Sequence, residues 1–183
     1  MKGEIIVHTG PMFSGKTLAL LSAYERATIA HKKVLAFKPS LDNRFGHNAI
    51  KSRKFKDAEI VAENIESIVE LKNYDADVYI IDEFEFLSGD VQVIREMADE
   101  GKKFHISGLD MTAEGKPFGP MPALMCIADV VIKYTAVCDE CGDDAIYSFF
   151  KGKKDKDIVV GNHEYVPLCR ACWIRKMKEK EKM

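Results

Sequence analysis

Gly10-Pro11-Met12-Phe13-Ser14-Gly15-Lys16-Thr17 matches G-x-x-x-x-G-K-[ST] at every fixed position. In such an octapeptide the glycines let the backbone turn its N–H groups inward on a phosphate. The lysine reaches β- and γ-oxygens, and the hydroxyl is placed to ligate Mg²⁺. A Gly-containing turn that matches by chance is the competing reading, and the flanks weigh against it. Apolar Ile5-Ile6-Val7 precedes the motif and a helix-like run, Leu18 to Ala30, follows it. That helix would direct its positive N-terminal end at the same phosphates. Binding of ATP with Mg²⁺ is the expectation.

Two further groups of charged residues fit the same chemistry. The continuous apolar run Val78-Tyr79-Ile80-Ile81 ends in Asp82-Glu83. Downstream of a phosphate loop, Asp82 is expected to hold Mg²⁺, and Glu83 to accept a proton from an attacking hydroxyl or orient a water. Capping of the next helix is the plainer alternative. Asp42 and Arg44 follow the second strand-like run. Arg44 would neutralise charge on a transferring phosphoryl group and Asp42 would hold a metal-bound water; a surface ion pair stays open for both.

Cys138-Asp139-Glu140-Cys141 and Cys169-Arg170-Ala171-Cys172 stand 27 residues apart. Thiolates from two C-x-x-C knuckles make a closed tetrahedral Zn²⁺ site, which carries no chemistry and clamps the base of a loop. Two redox disulfides are the rival reading. Cys126, among apolar neighbours, reads as a buried thiol.

These residues need a scaffold, and the pattern of the chain supplies one. Strand-like runs Glu4–His8, Val34–Lys38, Glu59–Ala62, Val78–Ile81, Lys103–Leu109 and Val130–Thr135 alternate with helix-like runs Leu18–His31, Ile65–Leu71, Asp90–Glu100 and Pro122–Ala128. This order implies an α/β fold, a parallel sheet with helices on both faces. Ligands bind such sheets at the carboxyl ends of the strands, where the phosphate loop, Asp82-Glu83 and Asp110 all fall. Asp42 to Lys54 reads as a mobile loop, and Ile174 to Met183 as a fraying, solvated helix end. The character changes at Cys138, so residues 1–137 are expected to form the nucleotide-binding domain and 138–183 a small second lobe. With 183 residues, a net charge of −2 and no membrane-length apolar run, the expected protein is soluble and cytoplasmic, with no nucleic-acid or membrane partner.

The motifs also occur in a telling order. G-P-M-F-S-G-K-T is followed by F-K-P-x-x-D-x-R (Phe37 to Arg44), I-D-E (Ile81 to Glu83) and G-L-D (Gly108 to Asp110). K-P-F-G (Lys116 to Gly119), T-A-V-C-x-x-C-G (Thr135 to Gly142) and Y-x-x-x-C-R-x-C (Tyr165 to Cys172) complete the series. The chain resembles the thymidine kinases of the type shared by vertebrate cytosol and many bacteria, over nearly its whole length. The resemblance implies a P-loop NTPase-like sheet plus a small zinc-binding β lobe with a lasso loop, Ser148 to Tyr165, that closes over the base. It implies transfer of the γ-phosphate of ATP to the 5′-hydroxyl of thymidine, with deoxyuridine also accepted. By position, Gly10, Pro11, Met12, Phe13, Ser14, Gly15, Lys16 and Thr17 would hold the donor phosphates, and Glu83 would be the base. Thr17, Asp82 and Asp42 would serve Mg²⁺, Arg44 the phosphoryl group, and Cys138, Cys141, Cys169 and Cys172 structural Zn²⁺. Met12, Leu109, Phe118 and Tyr165 would surround the nucleoside. Ser148 and the backbone of Val159, Val160, Gly161 and Asn162 would meet it from the lasso. The resemblance further implies a homotetramer with thymidine triphosphate as feedback ligand.

The chain departs from that family pattern in places. Where D-E-[AG]-Q-F-[FL] is usual it has Asp82-Glu83-Phe84-Glu85-Phe86-Leu87. Ala113 stands where an aromatic residue is common, which removes stacking area unless Phe149, Phe150 or Tyr165 supplies a ring. Arg53 follows Ser52 where His often stands, and one glycine, Gly161, remains where two often sit. These changes bear on substrate choice more than on reaction type. They motivate a second hypothesis, a catalytically weak or inactive nucleotide-binding relative acting as a regulatory module. A zinc-ribbon nucleic-acid binder with an ATPase lobe is a third, opposed by the acidic net charge.

Overall fold

A computed structural model of the chain describes residues 2–40, 49–51, 59–152 and 164–181. Five of the six strand-like runs, joined by Glu63–Ile65, form a six-stranded sheet in which every neighbouring pair is parallel; the run read at Glu59–Ala62 lies outside it and pairs antiparallel with Ala49–Lys51. The elements run β1 (Glu4–Thr9), α1 (Lys16–Ile29), β2 (Val34–Pro39), β3 (Ala49–Lys51), β4 (Glu59–Val61), β5 (Glu63–Ile65), a 3₁₀ turn (Ile68–Asn73), β6 (Val78–Ile81), a second 3₁₀ turn (Phe84–Phe86), α2 (Gln92–Asp99), β7 (Lys103–Gly108), α3 (Met121–Ile127) and β8 (Val130–Lys133). Strand order is β5-β2-β6-β7-β1-β8.

Alternation along the strands sorts residues to two faces. Ile5, Val7, Phe37, Tyr79, Ile81, Phe104 and Ile106 meet Ile94 and Met97 of α2 and Met121 and Leu124 of α3. On the other face Ala36, Val78 and Ile80 meet Leu20 of α1, with Ile50 and Ile60 added from β3 and β4. Helices therefore cover both faces, as the β-α-β order implies. Other local readings are corrected. Residues 49–51 lie in the segment read as a loop, yet they form β3, paired antiparallel with β4. The short helix read at Ile65–Leu71 is a 3₁₀ turn starting at Ile68, because Ser67 caps it: its N–H donates to the Glu70 carboxylate at 2.8 Å. Cys126 is exposed, since the short α3 turns Met121 and Leu124 inward instead.

The remaining elements are β9 (Ala136–Val137), β10 (Asp144–Ala145), β11 (Tyr147–Phe150), β12 (Tyr165–Leu168) and α4 (Arg170–Glu181). Strands β9 and β10 pair antiparallel, as do β11 and β12. Around them gathers a separate small core of Ala136, Cys138, Ala145, Phe149, Leu168, Cys169 and Cys172. The chain's tail is not a freely solvated end. Met177 packs on this core, and Lys180 Nζ donates to the carbonyls of Phe150 at 2.9 Å and Gly152 at 3.0 Å.

Candidate functional site

Strands β6, β7 and β1 are consecutive in the sheet, so the segments leaving their carboxyl ends share one rim. From β1 comes the loop Gly10–Thr17. Gly10 has φ 133, and a Cβ there would collide with the Tyr134 carbonyl oxygen, so the tight exit from β1 requires glycine. Ser14 Oγ and Lys16 Nζ both donate to the Pro11 carbonyl at 2.7 Å, folding the loop on itself.

From β6 comes Asp82, 8 % exposed. Its Oδ2 accepts from Thr17 Oγ1 at 3.2 Å, and its Oδ1 accepts from the buried Ser107 hydroxyl at the end of β7. Burial, then the neighbouring Glu83 charge, pushes the Asp82 carboxyl up to about 6. Lys16 is moved the opposite way, its pKa lowered by burial although nearby acidic side chains, Glu83 foremost, act to raise it. Glu83 takes a left-handed conformation, φ 53 and ψ 42, with its N–H donating to Asp82 Oδ1 at 3.1 Å. A non-glycine residue there costs about 1–3 kcal/mol, a strain that marks functional turns. From β7 come Leu109, half-buried, and Asp110, whose Oδ2 pairs with Lys133 Nζ at 2.6 Å.

The lobe meets this rim where the Met12 N–H donates to Ser148 Oγ at 2.9 Å. Phe118 meets Phe86 edge-on with centroids 5.3 Å apart, and Tyr165 leans on Phe150 at 5.0 Å. Trp173 donates its Nε1–H to the Ala113 carbonyl at 3.1 Å and stacks on Tyr147 at 4.4 Å. The ring next to the Ala113 backbone is thus Trp173. A cavity of about 150 Å³ lies between Ala113, Glu114, Phe149, Phe150, Met177 and Lys180.

The structure gathers the loop, Thr17, Asp82, Glu83 and Ser148 at one rim. Asp42, Arg44, Val159, Val160, Gly161 and Asn162 lie outside the described residues. Asp110 was expected at this rim, whereas Ser107, Phe86 and Lys133, the partner of Asp110, were absent from the sequence-derived site. Ser107 did leave a signal, as a polar residue at the carboxyl end of an otherwise buried strand.

The four sulfurs of Cys138, Cys141, Cys169 and Cys172 lie within 4.8 Å of one another. One cluster of four, rather than two separate pairs, is what a single tetrahedral ion needs. The knuckles are tied to each other by the Asp139 N–H, which donates to the Pro167 carbonyl at 2.9 Å. Burial pushes the Cys138 thiol up, but backbone N–H groups of Cys169, Glu140 and Cys141 outweigh it and bring the thiol down to about 6. Cys172 is driven upward by burial and by the surrounding thiols.

The family model described as thymidine kinase matches residues 3–173. The chain belongs to the thymidine kinase family. It is 40 % identical to the thymidine kinase of Bacteroides thetaiotaomicron over 176 residues, 95 % of this chain and 88 % of that one. To the thymidine kinase of Porphyromonas gingivalis it is 43 % identical over 175 residues, 94 % of this chain and 85 % of that one. The thymidine kinase of Mycoplasma mobile is 38 % identical over 184 residues, covering 99 % and 92 %. Among the described residues, no helix of this family member is long and apolar enough to cross a membrane.

Proposed function

We propose that the protein transfers the γ-phosphoryl group of ATP to the 5′-hydroxyl of thymidine, with deoxyuridine as a second acceptor. The observation that carries this reading is the meeting of Lys16, Thr17, Asp82 and Glu83 at the ends of β1 and β6, the parallel strands that flank β7, in a chain of the thymidine kinase family. Relatives named as kinases along nearly the whole chain favour an enzyme over a regulatory module.

In this reading the 5′-oxygen forms a bond to the γ-phosphorus. The bond from that phosphorus to the β–γ bridging oxygen breaks, its electron pair staying on ADP. The proton of the 5′-hydroxyl passes to Glu83. Backbone N–H groups of residues 10–17 orient the donor phosphates, Lys16 neutralises charge on them, and Arg44 acts on the group in transfer. Thr17 and Asp82, with Asp42, are hard oxygen donors suited to Mg²⁺, which when bound offsets phosphate charge. Asp82, kept from easy ionisation by burial, gains most from such a cation. Met12, Leu109, Phe118 and Tyr165 enclose the nucleoside, while Ser148 and the backbone of residues 159–162 read its edge. The four cysteines hold Zn²⁺, whose role is structural. We assign residues 1–137 to nucleotide binding and 138–183 to the lobe. A cytoplasmic homotetramer with thymidine triphosphate as feedback ligand completes the proposal.

Turnover assays with Mg²⁺ and ATP across thymidine, deoxyuridine, deoxycytidine and the purine deoxynucleosides test it. Product is expected from the first two. Glu83→Gln is expected to lower kcat by about 10²–10⁴-fold, with ATP still raising the melting temperature. A wild-type protein that phosphorylates no pyrimidine deoxynucleoside sinks the reading.

A further inference from the structure

One carboxyl at the rim has no part in the reaction just described. Glu85 sits in the 3₁₀ turn Phe84–Phe86, two residues past Glu83, and is 3 % exposed. The side-chain group within hydrogen-bonding reach of its carboxyl is the carboxyl of Glu83, and no N–H or O–H group of another described residue meets either oxygen. Its place is closely fitted. A Cβ on Gly108 would lie 2.8 Å from Glu85 Oε2 and 2.5 Å from Met121 Sδ, so the glycine that ends β7 leaves the room this side chain occupies. The charged groups facing Glu85 are Glu83 on its own turn and Lys16 at the start of α1, while β7 and α3 present Gly108 and Met121. Burial first, then the Glu83 charge, raises the Glu85 carboxyl well above the usual carboxylate range. Buried, without a conventional donor and beside the Glu83 side chain, Glu85 keeps its proton. Glu85 is thus an O–H donor next to a carboxylate acceptor.

We propose that Glu85 positions the base: its buried carboxyl hydroxyl donates to one Glu83 oxygen and leaves the other to face the sugar alcohol. The proposal rests on the kinase reading and deepens it. Without that donor, the spare Glu83 oxygen is open to Lys16, and an ion pair there would turn the base toward the phosphates and away from the acceptor. Glu85 touches no reacting atom, so its effect belongs in kcat and in the pH profile rather than in either KM.

The test uses the full chain with Mg²⁺ and ATP and compares wild type, Glu85→Leu and Glu85→Gln from about pH 6 to about pH 10. Glu85→Leu is expected to lower kcat about tenfold or more, with both KM values within about threefold of wild type. Glu85→Gln keeps a neutral donor in the same volume, so it restores most of that loss. Wild type is expected to lose kcat at alkaline pH as Glu85 ionises, and Glu85→Gln to lack that limb. A readout independent of turnover is the infrared difference spectrum of wild type minus Glu85→Gln, which should show a protonated carboxyl C=O stretch at neutral pH. Melting temperatures check that the variants fold, and if Glu85→Leu does not, the Glu85→Gln profile and the infrared band decide. A Glu85→Leu enzyme with wild-type kcat, an alkaline limb shared by wild type and Glu85→Gln, or absence of the infrared band overturns the proposal. An inactive wild type would instead sink the kinase reading, and the infrared band would still report on Glu85.

Discussion

The rim of the sheet and the cysteine lobe touch at Met12 and Ser148 but are held together differently. Among the described residues, 18 are buried on one face beneath the rim and 7 on the other, nearly all aliphatic or aromatic. The lobe's described core has 7 buried members, and three of them are the cysteines 138, 169 and 172. Apolar burial at about 25 cal/mol per Å² accounts for the first. The second, whose described strands are two to four residues long, offers less of it. The rim rests on a hydrophobic core, and the lobe gathers around its four cysteines.

The strongest way to break this contrast is to remove the clamp. With Cys169→Ser, or with a zinc chelator, the lobe should lose about 5 kcal/mol or more of local stability, given the size of structural zinc binding energies. Nucleoside turnover should fall at least tenfold. The sheet should still melt cooperatively and still be stabilised by ATP. Calorimetry with and without ATP checks this. A single transition that collapses together with ATP stabilisation would show that the two regions share one core.

What was legible in the sequence follows the same division. The phosphate loop, Asp82-Glu83 and the buried strands could be read because each is set by a local pattern: a fixed octapeptide, or an apolar run ended by charge. Strand β3 could not, since three residues between polar segments become a strand only by pairing with β4. Cys126 was misread because its neighbours are apolar, while which side of a seven-residue helix faces the sheet is settled by packing. The burial of Glu85 was hidden for a related reason. A glutamate reads as exposed by default, and the space it fills is made by Gly108, 23 positions away in the chain. In the lobe, sequence spacing was enough to pick the four ligand candidates, because a metal site is defined by residue type more than by shape. The aromatic ring beside Ala113 was not legible, because Trp173 reaches it from the far end of the chain.

A smaller intervention sharpens the comparison at the contact where the regions meet. Ser148→Ala removes the acceptor of the Met12 N–H and leaves that donor partly buried, a loss of about 1–3 kcal/mol. If the contact sets the lobe against the phosphate loop, KM for thymidine should rise by roughly three- to tenfold while KM for ATP changes less. Combined with Cys169→Ser, the two losses should not add, because a released lobe no longer offers the hydroxyl. Additive losses would mean that Ser148 acts on substrate alone.

Acid should reach the two regions by separate routes, which gives the mildest discriminating test. In the sheet, His8 Nδ1 lies 3.0 Å from Tyr134 Oη and its Nε2 lies 3.4 Å from His105 Nδ1. Burial, then the His8 and Lys103 charges, lowers His105 to about 4. An unfolded histidine titrates near 6.5. Between those values the unfolded chain binds a proton that the folded chain refuses, so stability falls as pH drops through that window and is restored above it. Discounted for the solvent that reaches the half-buried His105 ring, the loss is about 1–2 kcal/mol. His105→Gln should flatten the sheet's unfolding free energy between about pH 4 and 6.5. The lobe should keep its acid sensitivity in that variant, since protonation of its thiolates competes with metal binding whatever happens at His105. Denaturant titrations followed by Trp173 fluorescence for the lobe and by amide exchange for β1 and β7 separate the two. Equal flattening at both probes would show that acid acts on a single cooperative unit, and the division between core-built rim and metal-built lobe would have to be given up.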